Sequence, residues 1–198
     1  QAGPRQAQAD ATRQRLTTVA LRVFAGKSFD TVAVSDIADA AGVAHGLVFH
    51  YFGSKRGLYL AALREVARQL RETHQVDMSA LPGTRIRSLL TQHMTWMRRH
   101  RKLALSLLRG GLGTDPQAWR IIDDVRWQAS AWIATQLTLD PANPAVNMML
   151  RALTGAIDQA TVHWLQHGRA MTMDALIEAL MEIRSEERRV GKECRMPC

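Results

Sequence analysis

The segment Thr31–Leu63 reads TVAVSDIADAAGVAHGLVFHYFGSKRGLYLAAL and contains two short helical patterns separated by a glycine. In the first pattern, Val34–Ala41, apolar residues recur three and four positions apart, which is typical of a helix with one buried face. Gly42 allows a tight turn because it has no Cβ atom. The second pattern, Ala44–Tyr51, leaves polar residues on its other face. The segment therefore predicts a helix-turn-helix, whose second helix enters the major groove of DNA.

Helical spacing also recurs outside this segment, and strand-like alternation does not persist anywhere. A first helix is predicted over 11–25 with a stop at Gly26, and a long helix over 55–74 with Ser54 as its N-cap. After a linker at 78–84, further helices are predicted over 85–109, 116–137, 145–167 and 173–183. Asp115 and Thr172 are the expected caps of the second and last of these, and Gly168 ends the third. We therefore predict an all-α fold with a three-helix head that a long helix joins to a helical body.

Composition and charge limit the function classes. The 198 residues are 46% hydrophobic and 22% charged, which is typical of one or two globular domains. A net charge of +8 is compatible with a polyanionic partner, although charge alone does not establish one. No apolar run approaches the roughly 20 residues of a membrane helix, and the first residues lack the apolar segment of a signal peptide. We therefore expect a cytoplasmic protein.

Several kinds of site are disfavoured by what the sequence contains. Both cysteines, Cys194 and Cys198, lie in the last five residues, so we expect no disulfide framework or cysteine metal site in the folded body. His163 and His167 have the spacing of two metal ligands on one helical face, but no third ligand accompanies them. His167 is better explained by its place near a helix C-terminus, where a protonated ring is favoured. We expect neither a metal nor a cofactor.

The sequence disfavours two other function classes. An enzyme is disfavoured because no G-x-S-x-G, Walker, H-E-x-x-H or dinucleotide motif occurs. The cluster Gly110, Gly111 and Gly113 has no following lysine and indicates only a loop. A DNA-binding protein without a ligand is disfavoured because DNA binding and dimerisation alone need far less than a helical body of roughly a hundred residues.

Over Leu16–Leu63 an IA–AGV core, HYF, SK and a following leucine occur in order, and on these residues the chain resembles the tetracycline-repressor (TetR) family of regulators. The resemblance continues more weakly through the helix count and the ending Trp164-Leu165-x2-Gly168. It implies an all-α homodimer with a DNA-binding head in 11–63 and an effector-binding, dimerising body in 64–183. The usual function of the family is repression, relieved by a small effector, although activation stays open.

The resemblance assigns DNA contacts by position. His45 and Leu47 are expected at base edges in the groove, and Lys55 at a phosphate, because it lies at a helix N-terminus. The full set of expected DNA-binding residues is Ser35, His45, Leu47, His50, Tyr51 and Lys55. Four of these six have a structural alternative: Tyr51 and Leu47 as packing residues, His50 and Lys55 as solvated side chains. At three further positions, Ala33, Ala44 and Phe49, the chain lacks the hydroxyl group that is common in the family. The resemblance therefore implies the loss of three contacts to the DNA backbone.

The body is rich in tryptophan and methionine, which suit a pocket for a bulky hydrophobic effector, although each of them is also a normal core residue. The candidate effector-binding residues are His93, Met94, Trp96, Met97, Trp127, Met149, Asp158 and Gln159. Apolar seams on the last two helices predict a homodimer interface. Its candidate residues are Leu153, Ile157, Trp164, Leu176 and Leu180. Two-fold symmetry would require a pseudo-palindromic operator.

Residues 184–198 lack the apolar periodicity of the helix before them. The stretch RSEERRVGKEC resembles the translation of a sequencing-adapter oligonucleotide, and the alternative is an ordinary charged, disordered tail. We therefore interpret 184–198 as a non-native or disordered tail that does not belong to the fold.

Overall fold

A computed structural model of the chain describes residues 3–109, 115–167 and 171–182, and these residues form helices and connecting turns without a strand. The helices begin and end as follows: α1 Pro4–Gly26, α2 Val34–Ala41, α3 His45–Phe52, α4 Lys55–Thr73, α5 Pro82–Arg99, α6 Arg101–Leu108, α7 Pro116–Gln136, α8 Pro144–His167 and α9 173–182. The all-α prediction is confirmed. The tail at 184–198, the glycines at 110, 111 and 113, Gly168 and Ile183 lie outside the described residues.

The chain forms two compact units, each of which combines two segments of the sequence. The first unit comprises residues 1–72 and 100–126, and the second comprises 73–99 and 127–198. In the first, α1 packs against both α2 and α6, and α2 packs against α3.

The core of the first unit follows the predicted apolar faces. Leu16, Ile37, Val48 and Leu58 have no exposed surface. The predicted N-cap of α4 is confirmed, because the backbone N–H of Gly57 donates to Ser54 Oγ at 3.0 Å. These contacts fix the start of α4 next to the end of α3.

Proline placement explains where two helices differ from the predicted bounds. α1 begins at Pro4, seven residues earlier than predicted, and α5 begins at Pro82, inside the predicted linker. Proline is favoured in the first turn of a helix because its φ angle is already helical and its missing N–H would have had no partner there. The prediction of a linker over 78–84 is therefore wrong from Pro82 onward, because this proline begins a helix and does not break one.

The single helix predicted over 85–109 is wrong. It is two helices, α5 and α6, separated at His100, whose φ of −107° and ψ of 36° are not helical. The run Arg98–Lys102 around this break has no apolar residue. No buried side chain therefore holds one helical register across it, and neighbouring cations repel one another there.

The second unit has its own core, in which α5, α8 and α9 each contribute buried residues. Met94 and Ile177 are almost completely buried, and Thr161 is 1% exposed. The Thr161 hydroxyl donates to the carbonyl of Ile157 at 2.7 Å and lies 3.6 Å from the sulfur of Met94. The predicted cap of α9 is present, because Ala175 N–H donates to Thr172 Oγ1 at 3.2 Å. In the described part of the chain, no helix is long and apolar enough to cross a membrane.

Candidate nucleic-acid interface

The turn between α2 and α3 has the geometry that the sequence predicted. Gly42 has a φ of +63° and a ψ of 43°, the left-handed conformation that glycine adopts without a Cβ penalty. Its N–H donates to the Asp39 carbonyl at 3.0 Å, and the Val43 N–H donates to the Ala38 carbonyl at 3.1 Å. This closed C-terminus ends α2 and lets α3 pack on it through the fully buried Val48.

The outer face of α3 is accessible. His45 and His50 are exposed, whereas Leu47 and Tyr51 are half-buried. The rings of His50 and Tyr51 meet edge to face with centroids 5.1 Å apart. Among the predicted contacts outside α3, Ser35 on α2 is exposed and Lys55 on α4 is half-buried.

Phe49 is a candidate contact that sequence reasoning missed. The loss of a hydroxyl at this position was interpreted only as the loss of a phosphate bond. In the structure the Phe49 side chain is 44% exposed and its ring meets that of His45 with centroids 5.2 Å apart. An exposed aromatic ring on this face can contact a thymine methyl group. The missed signal was its spacing, four residues after His45 on the same helical face.

Lys55 has partners within its own chain. Its ammonium group donates to the Asp30 carbonyl at 3.2 Å and lies 4.7 Å from the centre of the Phe29 ring. An ammonium group has three donors, so the bond to Asp30 leaves two for another acceptor. The α1–α2 loop thus holds this cation at the first residue of α4.

The neighbouring Arg56 makes a contact that the sequence did not predict. Its Nε donates to Asp115 Oδ2 at 2.6 Å, and its Nη2 donates to Asp115 Oδ1 at 3.0 Å. Asp115 also accepts the backbone N–H of Gln117 at 2.9 Å, which confirms it as the cap of α7. The pKa of Asp115 is lowered to about 2, mainly by the hydrogen bond from Arg56 and to a smaller extent by the backbone N–H donors. This carboxylate therefore joins the first turns of α4 and α7.

The pKa of Tyr59 is raised both by burial and by the carboxylate of Asp115. Burial is the larger cause, and together they raise the pKa of Tyr59 to about 12. The Tyr59 ring packs against Phe24 and Phe29, with centroids 4.9 and 5.1 Å away. This aromatic cluster supports the loop that holds Lys55.

The candidate effector-binding residues lie in the second unit in unlike surroundings. Met94, Trp96 and Met97 are buried in the core. Trp127 is half-buried, with the guanidinium of Arg151 5.3 Å from its ring centre, and Gln159 is exposed. The other three, His93, Met149 and Asp158, are half-buried. A pocket formed by all eight residues therefore stays a prediction.

The ring of His93 lies 5.5 Å from that of His74, between centroids. The Nε2 atom of His74 is buried without a hydrogen-bond partner among the described residues, and burial lowers the pKa of this imidazole. His163 and His167, the other histidine pair, have ring centroids 4.6 Å apart. The described residues contain no group of three or more His, Cys, Asp or Glu side chains that could hold a metal ion.

Two of the five candidate interface residues are already buried within their own chain. Trp164 is 9% exposed and its indole N–H donates to the Met171 carbonyl at 3.1 Å, and Leu176 is 6% exposed. Leu153, Ile157 and Leu180 are half-buried. The homodimer interface stays a prediction.

Comparison with known proteins gives matches along both parts of the chain. Residues 16–62 match the profile of "Bacterial regulatory proteins, tetR family", and residues 82–184 match that of "Tetracyclin repressor-like, C-terminal domain". The HTH-type transcriptional regulator BetI of Rhizobium meliloti is 38% identical over 80 residues, 39% of each chain. The HTH-type transcriptional repressor AcnR of Corynebacterium efficiens is 37% identical over 62 residues, 31% of this chain and 33% of its own. The chain thus matches less than half the length of these curated relatives.

Solved structures match over most of the chain. A tetR-family transcriptional regulator from Streptomyces coelicolor superposes with a TM-score of 0.75 at 27% identity, covering 87% of this chain and 78% of its own. The regulator FadR from Bacillus subtilis, solved in complex with stearoyl-CoA, has a TM-score of 0.67 at 18% identity, covering 86% and 96%. The second likeness is one of fold alone. The head, the helical body and the two profile matches together place this chain in the TetR family of bacterial regulatory proteins, a family of transcriptional regulators.

Proposed function

We propose that the protein is a DNA-binding repressor that leaves a pseudo-palindromic operator when a small hydrophobic effector binds its C-terminal helical body. The observation that carries the DNA-binding part is the exposed face of α3, with His45 and His50, next to a cation held at the start of α4. Repression is supported by the name of the repressor AcnR, and a hydrophobic effector by the stearoyl-CoA bound to FadR.

The predicted contacts divide into two roles. Lys55 and Tyr51 act on phosphates, together with Ser35 and His50, and set the position of the head on the duplex. His45 and Leu47 act on base edges in the major groove. Because phosphate contacts carry charge and base contacts carry sequence information, the two groups should respond differently to salt and to DNA sequence.

A salt titration of operator and scrambled duplex tests this division. Each phosphate contact contributes about 0.9 to the slope of log affinity against log salt, so Lys55→Ala should flatten that slope by about 1.8 per dimer and weaken both duplexes alike. Over a fourfold range of salt, this difference amounts to about tenfold in affinity. Leu47→Ala and His45→Ala, measured at pH 8, should keep the wild-type slope and reduce discrimination at one base pair per half-site by about 1–3 kcal/mol.

The matched control is Arg64→Ala, which removes an exposed charge from α4 nine residues beyond Lys55. It should keep both the slope and the operator preference. The two roles would be reversed if Lys55→Ala lost operator preference without a change in the salt slope. His45→Ala would then have to flatten that slope. Wild-type affinity in all three interface variants would refute the helix-turn-helix proposal.

We place the homodimer interface on α8 and α9, with Leu153, Ile157 and Leu180 at its edges. The exposed face of α8 carries Ala152, Gly155 and Ala156. Small residues of this kind allow two helices to approach closely. Two-fold symmetry then sets the half-sites about one helical turn, roughly 34–36 Å, apart.

Analytical ultracentrifugation at micromolar concentration tests the interface. Ala156→Glu should shift the wild-type dimer to monomer because it places an unpaired charge in the contact. Ala40→Glu, an equal substitution at an exposed position of α2, should leave the dimer intact. Trp164→Glu is not a suitable variant, because Trp164 is part of the core of its own chain. A monomeric wild type would contradict the proposal.

The effector is proposed to act through α4, which begins at Lys55 and ends at Thr73. A small tilt of this helix would change the separation of the two heads in a dimer. Linkage requires reciprocity: an effector that lowers DNA affinity tenfold must itself bind the DNA complex tenfold less tightly than it binds the free protein. This factor corresponds to a coupling free energy of about 1.4 kcal/mol. An effector that changes DNA affinity but binds free and DNA-bound protein equally would refute the mechanism.

A further inference from the structure

A groove lies within the first unit between the end of α1, the loop that follows it and α6. It has a volume of about 590 Å³, within the range of roughly 300–1,000 Å³ that small-molecule sites occupy. Residues 25–30 form one wall, and α6 with the residue that follows it forms the other, through Lys102, Leu105, Ser106 and Arg109. The groove is separate from the candidate effector-binding residues, which all belong to the second unit.

The charges on its walls are predominantly positive. Among the described residues that line the groove, Lys27, Lys102 and Arg109 are opposed by one carboxylate, that of Asp30. Lys27 is paired with Asp36 at 3.1 Å, so part of its charge is already compensated. Lys102 lies in the first turn of α6 and Arg109 directly follows its last residue; both are exposed and form no ion pair within the part of the chain that the structure describes.

The sequence that follows Arg109 does not supply the missing counter-charge. Residues 110–114 read Gly-Gly-Leu-Gly-Thr and contain no carboxylate. The charges of Lys102 and Arg109 are therefore not compensated by an ion pair, and an anion bound between them would be attracted by both. The hydroxyl group of Ser106, between these cations on α6, is a further donor in the groove wall.

The groove is also partly apolar. Phe29 and Leu105 line it, and both are half-buried. The Phe29 ring is held by aromatic contacts with Phe24 and Tyr59, at centroid distances of 6.1 and 5.1 Å. A fixed aromatic surface next to two cations favours a ligand that carries both an apolar portion and an anionic group.

We propose that this groove binds a small organic anion, with its phosphate or carboxylate between Lys102 and Arg109 and its apolar portion on Phe29 and Leu105. The site has a direct connection to the DNA interface. The ring of Phe29 lies under the Lys55 ammonium, and the backbone carbonyl of Asp30 accepts a hydrogen bond from that ammonium. A ligand that moves these two loop residues changes the position of the proposed phosphate contact.

Isothermal titration calorimetry of the full chain without DNA tests the site, with 1-naphthyl phosphate as the probe. The wild type should bind it at least tenfold more tightly than 1-naphthol, which lacks the anion, and than inorganic phosphate, which lacks the apolar portion. The double variant Lys102→Gln with Arg109→Gln should weaken binding at least tenfold. The matched control, Arg64→Gln with Arg71→Gln, removes two exposed cations seven residues apart on α4 and should stay within twofold of wild type.

Three results would overturn the proposal. Equal affinity for 1-naphthol would show a purely apolar site, and equal affinity for inorganic phosphate would show that the apolar wall is not used. Equal weakening by the two double variants would show non-specific attraction to net charge. Thermal melts of both variants should match wild type because all four side chains are exposed.

A DNA-binding measurement distinguishes a ligand site at Lys102 and Arg109 from the alternative that these two cations contact operator phosphates. Without the probe, the double variant at Lys102 and Arg109 should bind operator within twofold of wild type and with the same salt slope. A slope flatter by about 3.6 per dimer would make both cations contacts to DNA phosphates and overturn the proposal. The calorimetric test uses no DNA, so its result does not depend on whether the proposed operator binding is correct.

Discussion

Gly57, in the first turn of α4, lies close to the backbone at the end of α3. A Cβ atom added there would lie 2.0 Å from the carbonyl oxygen of Phe52 and 3.1 Å from its carbonyl carbon. Both are backbone atoms at the end of α3, so they can move only if the backbone there moves. Because real Cβ contacts are essentially never shorter than 3.0 Å, Gly57→Ala requires the end of α3 to move by at least 1.0 Å relative to α4.

Two opposing effects decide the stability of this variant. Alanine is favoured over glycine inside a helix by about 1 kcal/mol, whereas a forced backbone shift of this kind costs about 1–3 kcal/mol. We expect Gly57→Ala to lower the free energy of unfolding by up to about 2 kcal/mol. A shift of 1 Å also exceeds the tolerance of a hydrogen bond, so operator affinity should fall at least tenfold.

Urea denaturation and an operator-binding titration measure the two effects. The control for stability is Gly46→Ala on α3, where an added Cβ meets nothing within 4 Å. This control should be as stable as wild type or more stable. If Gly57→Ala were as stable as Gly46→Ala and bound operator with wild-type affinity, the close approach to Phe52 would not constrain the junction and the reasoning would be refuted.

Three further predictions concern stability. Gly42→Ala should lower the free energy of unfolding by about 1–2 kcal/mol, because the φ of +63° at this position is left-handed. The added Cβ would meet no neighbour, so no further steric cost is expected. Urea denaturation should show a smaller loss for Gly42→Asn, because asparagine tolerates this conformation better. Met94→Ala should cost about 2–5 kcal/mol in the same assay because Met94 is fully buried, whereas the half-buried Met149→Ala should cost less; equal losses would contradict the core assignment. Burial lowers the pKa of His74 below its usual 6.5, so the unfolded chain takes up its proton first as the pH falls. The free energy of unfolding should therefore decrease from about pH 7.5 to about pH 5.5, and His74→Leu should reduce that decrease; an unchanged pH dependence would exclude His74 as its source.

The helix-turn-helix could be predicted from the sequence because its determinants are local. Apolar residues three and four positions apart specify the buried faces of α2 and α3, and Gly42 specifies the turn between them. The caps at Ser54, Asp115 and Thr172 were likewise predictable, since each side chain bonds a backbone N–H two or three residues later. For the same reason the bounds of α2 agree with the prediction at both ends.

The break at His100 was less accessible to sequence reasoning. Helical periodicity on either side of it continues closely enough to suggest one helix, and the local residues include neither glycine nor proline. The absence of any apolar anchor in Arg98–Lys102 was the available signal. It is weaker than a breaker residue because many exposed helical turns are equally polar.

Tertiary structure alone decided which distant residues meet. Arg56 and Asp115 are 59 positions apart, and the groove joins residues 25–30 to α6, so no local pattern links either pair. Apolar periodicity also cannot distinguish a face that packs within the chain from one that awaits a partner or a ligand, because both remove the same surface from water. Trp164 and Met94 were therefore assigned to an interface and a pocket from spacing and residue type, and the packing of α8 and α5 shows them in the core of their own chain.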